Sequence, residues 1–165
     1  NNSGQLGDGT TTNRTAPVMI ATDVAAVAAG AEHSLFIRKD GSLWGMGGNG
    51  WGQLGTGGLA APRSPVRLLE RVNAIAAGER HSVALKDDGT VWTAGYHSYG
   101  ALGQGFNSAS GWGQAASGAT AVAAGDNHTH FLKSDGTVWA MGYNGNGQLG
   151  NGTNQGDQGF AGVFT

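Results

Sequence analysis

One stretch recurs three times along this chain. Val72 to Gly103 reads VNAIAAGERHSVALKDDGTVWTAGYHSYGALG, and related runs cover Val24 to Gly55 and Thr120 to Gly150. The register is tight: His33, His81 and His128 lie 48 and 47 residues apart. Trp44, Trp92 and Trp139 keep those intervals, as do Gly30, Gly78 and Gly125. Self-similarity at a period of this size marks a repeat architecture, in which each unit buries its apolar face against its neighbours. The first 23 residues join the pattern late, because Gly4-Gln5-Leu6-Gly7 matches Gly52-Gln53-Leu54-Gly55 and Gly147-Gln148-Leu149-Gly150. The units divide as a partial one at 1–23 and three repeats at 24–71, 72–118 and 119–165.

Each unit reads as strand and turn. In the middle copy, strands are expected at residues 72–77, 82–86 and 90–94, the last two joined by Asp87-Asp88-Gly89. Asp-Gly between apolar runs is a strong hairpin signal, since glycine accepts positive φ without steric cost. It recurs as Asp40-Gly41 and Asp135-Gly136. A weaker fourth strand is expected at 17–21 and 65–70, opening on a proline suited to an edge. Four short strands per unit predict an all-β propeller of four-stranded antiparallel blades. Leu35-Phe36-Ile37 and Val91-Trp92 are consecutive apolar residues, which calls for sheets buried on both faces. The Ala-Ala-Gly runs suit the crowded axis of such a ring.

Composition narrows the functions. Nine Lys and Arg oppose eleven Asp and Glu, which gives no electrostatic reason to expect nucleic acid as a partner. There is no cysteine, hence no disulfide or thiolate metal site. No apolar run is long enough for a helical membrane span. Phosphate loops, nucleophile elbows and metal-binding helices of the His-Glu type are missing, and no cofactor is expected. The Asn-Gly-Asn-Gly run at 144–147 lacks the carboxylates of a calcium loop.

His33, His81 and His128 invite a metal reading, but one slot repeated around a ring does not converge on an ion. They are expected to be structural and to satisfy buried backbone groups after Ala-Ala-Gly. Trp44, Trp92 and Trp139 are expected in the core between blades. His130 stands where Leu35 and Val83 stand in the other units. Trp51 and Trp112 do not repeat, and both are flanked by glycines. Exposed aromatics on loops make good partner contacts, so Trp51, Trp112, Tyr96, His97 and Tyr99 are the candidate partner-binding residues.

The pattern V-x-A-I-A-A-G-x-x-H-S-x-A-L-K-x-D-G-T-V-W-x-x-G, followed by G-x-L-G, resembles the regulator of chromosome condensation repeat family across nearly the whole chain. The resemblance implies a seven-bladed ring, which at this period needs roughly 330 residues, about twice those present. The expectation is three complete blades plus partial ones: an arc of a larger propeller, or a chain that pairs with a second copy. Unit two departs from the pattern, with Gly100-Ala101-Leu102-Gly103 as its tail and no Pro-Val start in residues 107–119. The functional expectation is a non-catalytic binding or scaffolding module working through blade loops on a protein partner. The alternatives are guanine-nucleotide exchange on a small GTPase, which the resemblance to the family's eukaryotic namesake implies, a lectin, and an enzyme-inhibiting propeller. Low charge and richness in Gly, Asn, Thr and Ala look more like bacterial, secreted or surface members than nuclear ones.

Overall fold

The computed structural model describes residues 1–103, 111–155 and 157–164. Among the described residues twelve strands form three four-stranded antiparallel sheets, each following chain order. Sheet one holds β1 (Val24–Ala29), β2 (His33–Arg38), β3 (Leu43–Gly47) and β4 (Val66–Leu69). Sheet two holds β5 (Val72–Ala77), β6 (His81–Lys86), β7 (Val91–Gly95) and β8 (Gly113–Ala116). Sheet three holds β9 (Ala119–Ala124), β10 (His128–Lys133), β11 (Val138–Gly142) and β12 (Asp157–Phe164). This is a partial propeller.

The sheets stack face to face, which accounts for the consecutive apolar residues. Leu35, Ile37 and Leu43 of sheet one share a core with Val72 and Ala84 of sheet two, and Trp92 packs against it. Val83, Leu85 and Val91 leave the other face of sheet two and meet Phe131 and Trp139 of sheet three. Phe36 turns away from sheet two, stacking on Trp44 at 6.4 Å between ring centroids. On that side sheet one carries an open apolar groove of about 440 Å³, lined by Ile20, Val24, Val27, Leu35, Phe36 and Met46. Val27 is 76% exposed there and nearby Met19 82%.

The innermost strands β1, β5 and β9 crowd at their Ala-Ala-Gly ends. A Cβ on Gly30 would stand 2.6 Å from the Gly78 carbonyl oxygen, and one on Gly78 equally close to that of Gly125. It would also run into the ring of His33 or His81. Glycine is therefore a requirement of space at these positions.

Each hairpin tryptophan sits on a local hydrogen-bond chain. Oδ1 of Asp40, Asp88 and Asp135 accepts the backbone N–H and the hydroxyl of Ser42, Thr90 and Thr137 two residues on. Each hydroxyl oxygen accepts the indole N–H of Trp44, Trp92 or Trp139 at 2.9 Å. These bonds hold the three carboxyls below the usual carboxylate range, the hydroxyl contributing most. A cation covers each ring, Arg38 at 4.6 Å, Lys86 at 4.2 Å and Lys133 at 4.1 Å. The indoles are therefore half-buried, each with a lid.

The repeated histidines bond across the seams between sheets rather than to the turn that precedes them. His33 Nε2 lies 2.9 Å from Ser82 Oγ, and His81 Nε2 lies 3.0 Å from Thr129 Oγ1. Ser82 donates its proton to the Gln53 carbonyl at 2.7 Å, and Thr129 donates to that of Ala101 at 2.9 Å. Each hydroxyl hydrogen is spent, so each imidazole is the donor and carries its proton on Nε2. Ser34 repeats the lower half of the relay, donating to the Gln5 carbonyl at 2.8 Å.

The strands depart from expectation in two places. Residues 17–21 do not form a strand. Sheet two gains β8 without a Pro-Val start, Gln114 pairing with Trp92 and Ala116 with Val91. Part of the 107–119 segment lies outside the described residues.

Trp92→Ala is expected to cost about 3 kcal/mol in chemical denaturation, the low end for aromatic truncation because the indole is half-buried. Trp44→Ala, on the open face, should cost less. Burial lowers both seam histidines from 6.5 to about 4. The unfolded chain therefore takes up protons in a window where the folded chain does not, and stability falls as pH drops from about 6.5 toward about 4. The loss should reach about 3 kcal/mol for each histidine. His81→Gln, which keeps an N–H donor but cannot titrate, should flatten that slope by one proton in urea melts across the window.

Candidate functional site

Strand direction sorts the connections onto two rims. The Asp-Gly hairpins and the crossovers between sheets share one rim. The other carries the turns after Ala-Ala-Gly and the described parts of the long loops that follow β3, β7 and β11: 48–65, 96–103 with 111–112, and 143–155. The Asp-Gly rim is closed on itself by the hydrogen bonds described above. The loop rim presents side chains.

Two of these loops, and the opening segment of the chain, are organised by an asparagine at one register position. Asn49 and Asn144 are fully buried, and Asn1 stands in the same place. Oδ1 of each accepts the backbone N–H of the leucine five residues on, Leu6, Leu54 or Leu149. Nδ2 of each donates to two loop carbonyls: Thr10 and Thr12, Gly58 and Ala60, or Thr153 and Gln155. Sequence reading passed over this staple. Its signal was an asparagine recurring five residues before each Gly-Gln-Leu-Gly leucine. In unit two His97 takes the position, half-buried, with Nδ1 enclosed and unpartnered.

On this frame the aromatics of the rim form pairs across the seams. Trp51 of sheet one meets Tyr96 of sheet two edge to face, ring centroids 4.6 Å apart at 62°. Tyr99 of sheet two meets Tyr143 of sheet three in the same way, at 4.9 Å and 63°. The register explains the likeness, since Tyr99 corresponds to Trp51 and Tyr143 to Tyr96. Trp51 is 43% exposed and Tyr99 51%. The Arg80 guanidinium lies 5.0 Å from the Trp51 ring and 5.9 Å from that of Tyr96, and pairs with Glu79 at 3.2 Å. A small polar cavity of about 190 Å³ opens beside it, bounded by Glu32, Trp51, Glu79 and Arg80.

The structure thus brings Trp51, Tyr96 and Tyr99 onto one rim and adds Tyr143, which sequence reading did not single out. Trp112 is half-buried instead. It packs against the core between sheets one and two and donates its indole N–H to the Leu54 carbonyl at 3.0 Å. His130 lies on the outward face of sheet three beside His128, ring centroids 5.2 Å apart. Among the described residues no group of three or more His, Asp or Glu side chains could hold a metal ion. No described helix is long and apolar enough to cross a membrane.

Comparison with known proteins gives this geometry a family. Models of the regulator of chromosome condensation (RCC1) repeat match residues 24–53, 72–101 and 119–148, and a second model matches 1–37 and 40–85. Human WBSCR16 is similar in structure, at 27% identity and a TM-score of 0.75, over 86% of this chain and 41% of that one. Prp20p of Saccharomyces cerevisiae, described with its binding to Gsp1p and histones, is 22% identical with a TM-score of 0.74, over 87% and 39%. The same yeast protein bound to Kap60 gives 0.75 at 22% identity, over 87% and 37%. The chain spans about two fifths of the length of these structures. No curated protein matches it by sequence. The repeats, the three sheets and these matches together place the chain in the regulator of chromosome condensation repeat family.

Proposed function

We propose that the chain is a non-catalytic protein-interaction module and that the loop rim is its docking face. The paired aromatics carry this reading. Trp51 and Tyr99 are large exposed rings held at fixed angles by Tyr96 and Tyr143, so they offer contact area with little entropy left to lose on binding. Hot spots of protein interfaces draw on tryptophan, tyrosine and arginine, and Trp51, Tyr96 and Arg80 form one such group. The Asp-Gly rim has no comparable cluster, because its tryptophans are turned inward and lidded. Yeast Prp20p, described with Gsp1p, histones and Kap60, lends support at the level of class: a propeller of these repeats engages proteins.

A photo-crosslinking residue placed at 51 or 99 should yield defined crosslinked products in extracts of the source cells. The same residue at 88 or 135, on the Asp-Gly rim, should not. Equal labelling from both rims, or labelling only from 88 and 135, would overturn the assignment of the face.

A further inference from the structure

The two aromatic pairs are built alike but differ in one component. Over Trp51–Tyr96 the chain supplies its own cation, Arg80, anchored by Glu79. At Tyr99–Tyr143 the residue in the register of Arg80 is Asn127, and the residue in the register of Glu79 is Asp126. The aromatic pair and the carboxylate recur, and the cation does not.

We propose that the Tyr99–Tyr143 ledge receives a cationic side chain, an arginine on an extended segment of a protein partner, in the place Arg80 fills at the first pair. This rests on the reading of the loop rim as a docking face and names the chemistry of what docks there.

Charge supports that occupant. Asp126 is exposed, and among the described residues no Lys or Arg pairs with its carboxylate. Glu79 adjoins the same seam through Asn127, whose Nδ2 donates to its Oε2 at 3.4 Å. At the first ledge Glu79 is already paired with Arg80, which also covers the rings. Among the described residues the second ledge has Asp126 without an ion-pair partner and no cation over its rings. A guanidinium laid on a tyrosine face and paired with a carboxylate gains from both contacts.

Backbone strain points to the same place. Tyr99 holds φ at +66°, a left-handed conformation that a bulky residue adopts at a cost. Among the described residues the other non-glycines in that region, Asp23 and Arg71, share one register with Gly118 and belong to the crossover turns. Tyr99 has no such counterpart, since Trp51 at the equivalent position keeps negative φ. In this conformation the Tyr99 ring stands exposed against Tyr143.

The repeat supplies the controls. The probe is a short capped peptide with two arginines spaced by glycine, titrated into the full 165-residue chain while tyrosine ring resonances are followed by NMR. Tyr99 and Tyr143 should shift, and replacing arginine by citrulline should weaken binding about five- to tenfold. Asn127→Arg, which installs the internal cation, should weaken it by a similar factor with the thermal midpoint unchanged. Arg80→Ala should open the first ledge and add a second equivalent site, seen as new shifts at Tyr96 and Trp51. Undiminished binding to a folded Asn127→Arg variant, or equal binding of the citrulline peptide, would overturn the proposal. So would binding that leaves Tyr99 unshifted, which is charge attraction without a site. If crosslinks from position 99 persist while the peptide fails, the cation is wrong and the docking face stands. If the peptide binds while the crosslinks spread over both rims, the docking face is wrong.

Discussion

The contact on which this structure depends is the bond from a histidine in one sheet to a hydroxyl in the next. It is more than a pair. The hydroxyl of Ser82 or Thr129 hands its own proton back to a carbonyl of the preceding loop, at Gln53 or Ala101. One side chain thereby fastens the start of its strand to both the hairpin and the tail of its neighbour. Burial holds the imidazole neutral, since protonating it would place a charge inside the seam. The same bond dictates the glycine three residues earlier, since the ring lies where a Cβ would be. Gly-x-x-His is thus one unit of packing, and its partner Ser or Thr directly after the next histidine completes it.

Within each sheet the second half of the motif is self-contained. Asp, then Ser or Thr, then Trp form a chain of hydrogen bonds that satisfies the turn hydroxyl and the indole N–H. A Lys or Arg then covers the ring of each indole, and those of Trp92 and Trp139 also pack against the preceding sheet. Seams between sheets are held by histidine, and hairpins hold themselves. Such division lets units stack without each depending on distant parts of the chain.

Much of this was legible before any coordinates. The 48- and 47-residue spacing of His33, His81 and His128 carried the fold, and the run Leu35-Phe36-Ile37 carried burial on both faces. What the histidines bond to was not legible, because a hydroxyl 49 residues away becomes a neighbour only once two sheets are stacked. Trp51 and Trp112 look alike in sequence, each between glycines. Nothing local says that one stands 43% exposed on the rim while the other reaches back to the Leu54 carbonyl. Tyr143 was overlooked because it copies Tyr96, and its value lies in the ring it meets from the next unit. The strand expected at residues 17–21 did not form.

Sheet two shows how a repeat leaves room for function. It keeps every seam group, with Gly78, His81 and Ser82 in register, and every hairpin group, with Asp88, Thr90 and Trp92. Its departures gather on the loop rim. His97 replaces the staple asparagine, Ala101 replaces the tail glutamine, Tyr99 takes a strained backbone, and Trp112 enters from outside the register. A substitution on the seam would unpair a buried polar group and cost the whole stack, whereas one on the rim is borne by a single loop. Selection for a partner can act on the rim of one unit without disturbing the next. The rim of sheet two is also the one that contributes to both aromatic pairs, Tyr96 to the first and Tyr99 to the second. The unit that strays furthest from the repeat is the one through which the proposed surface runs.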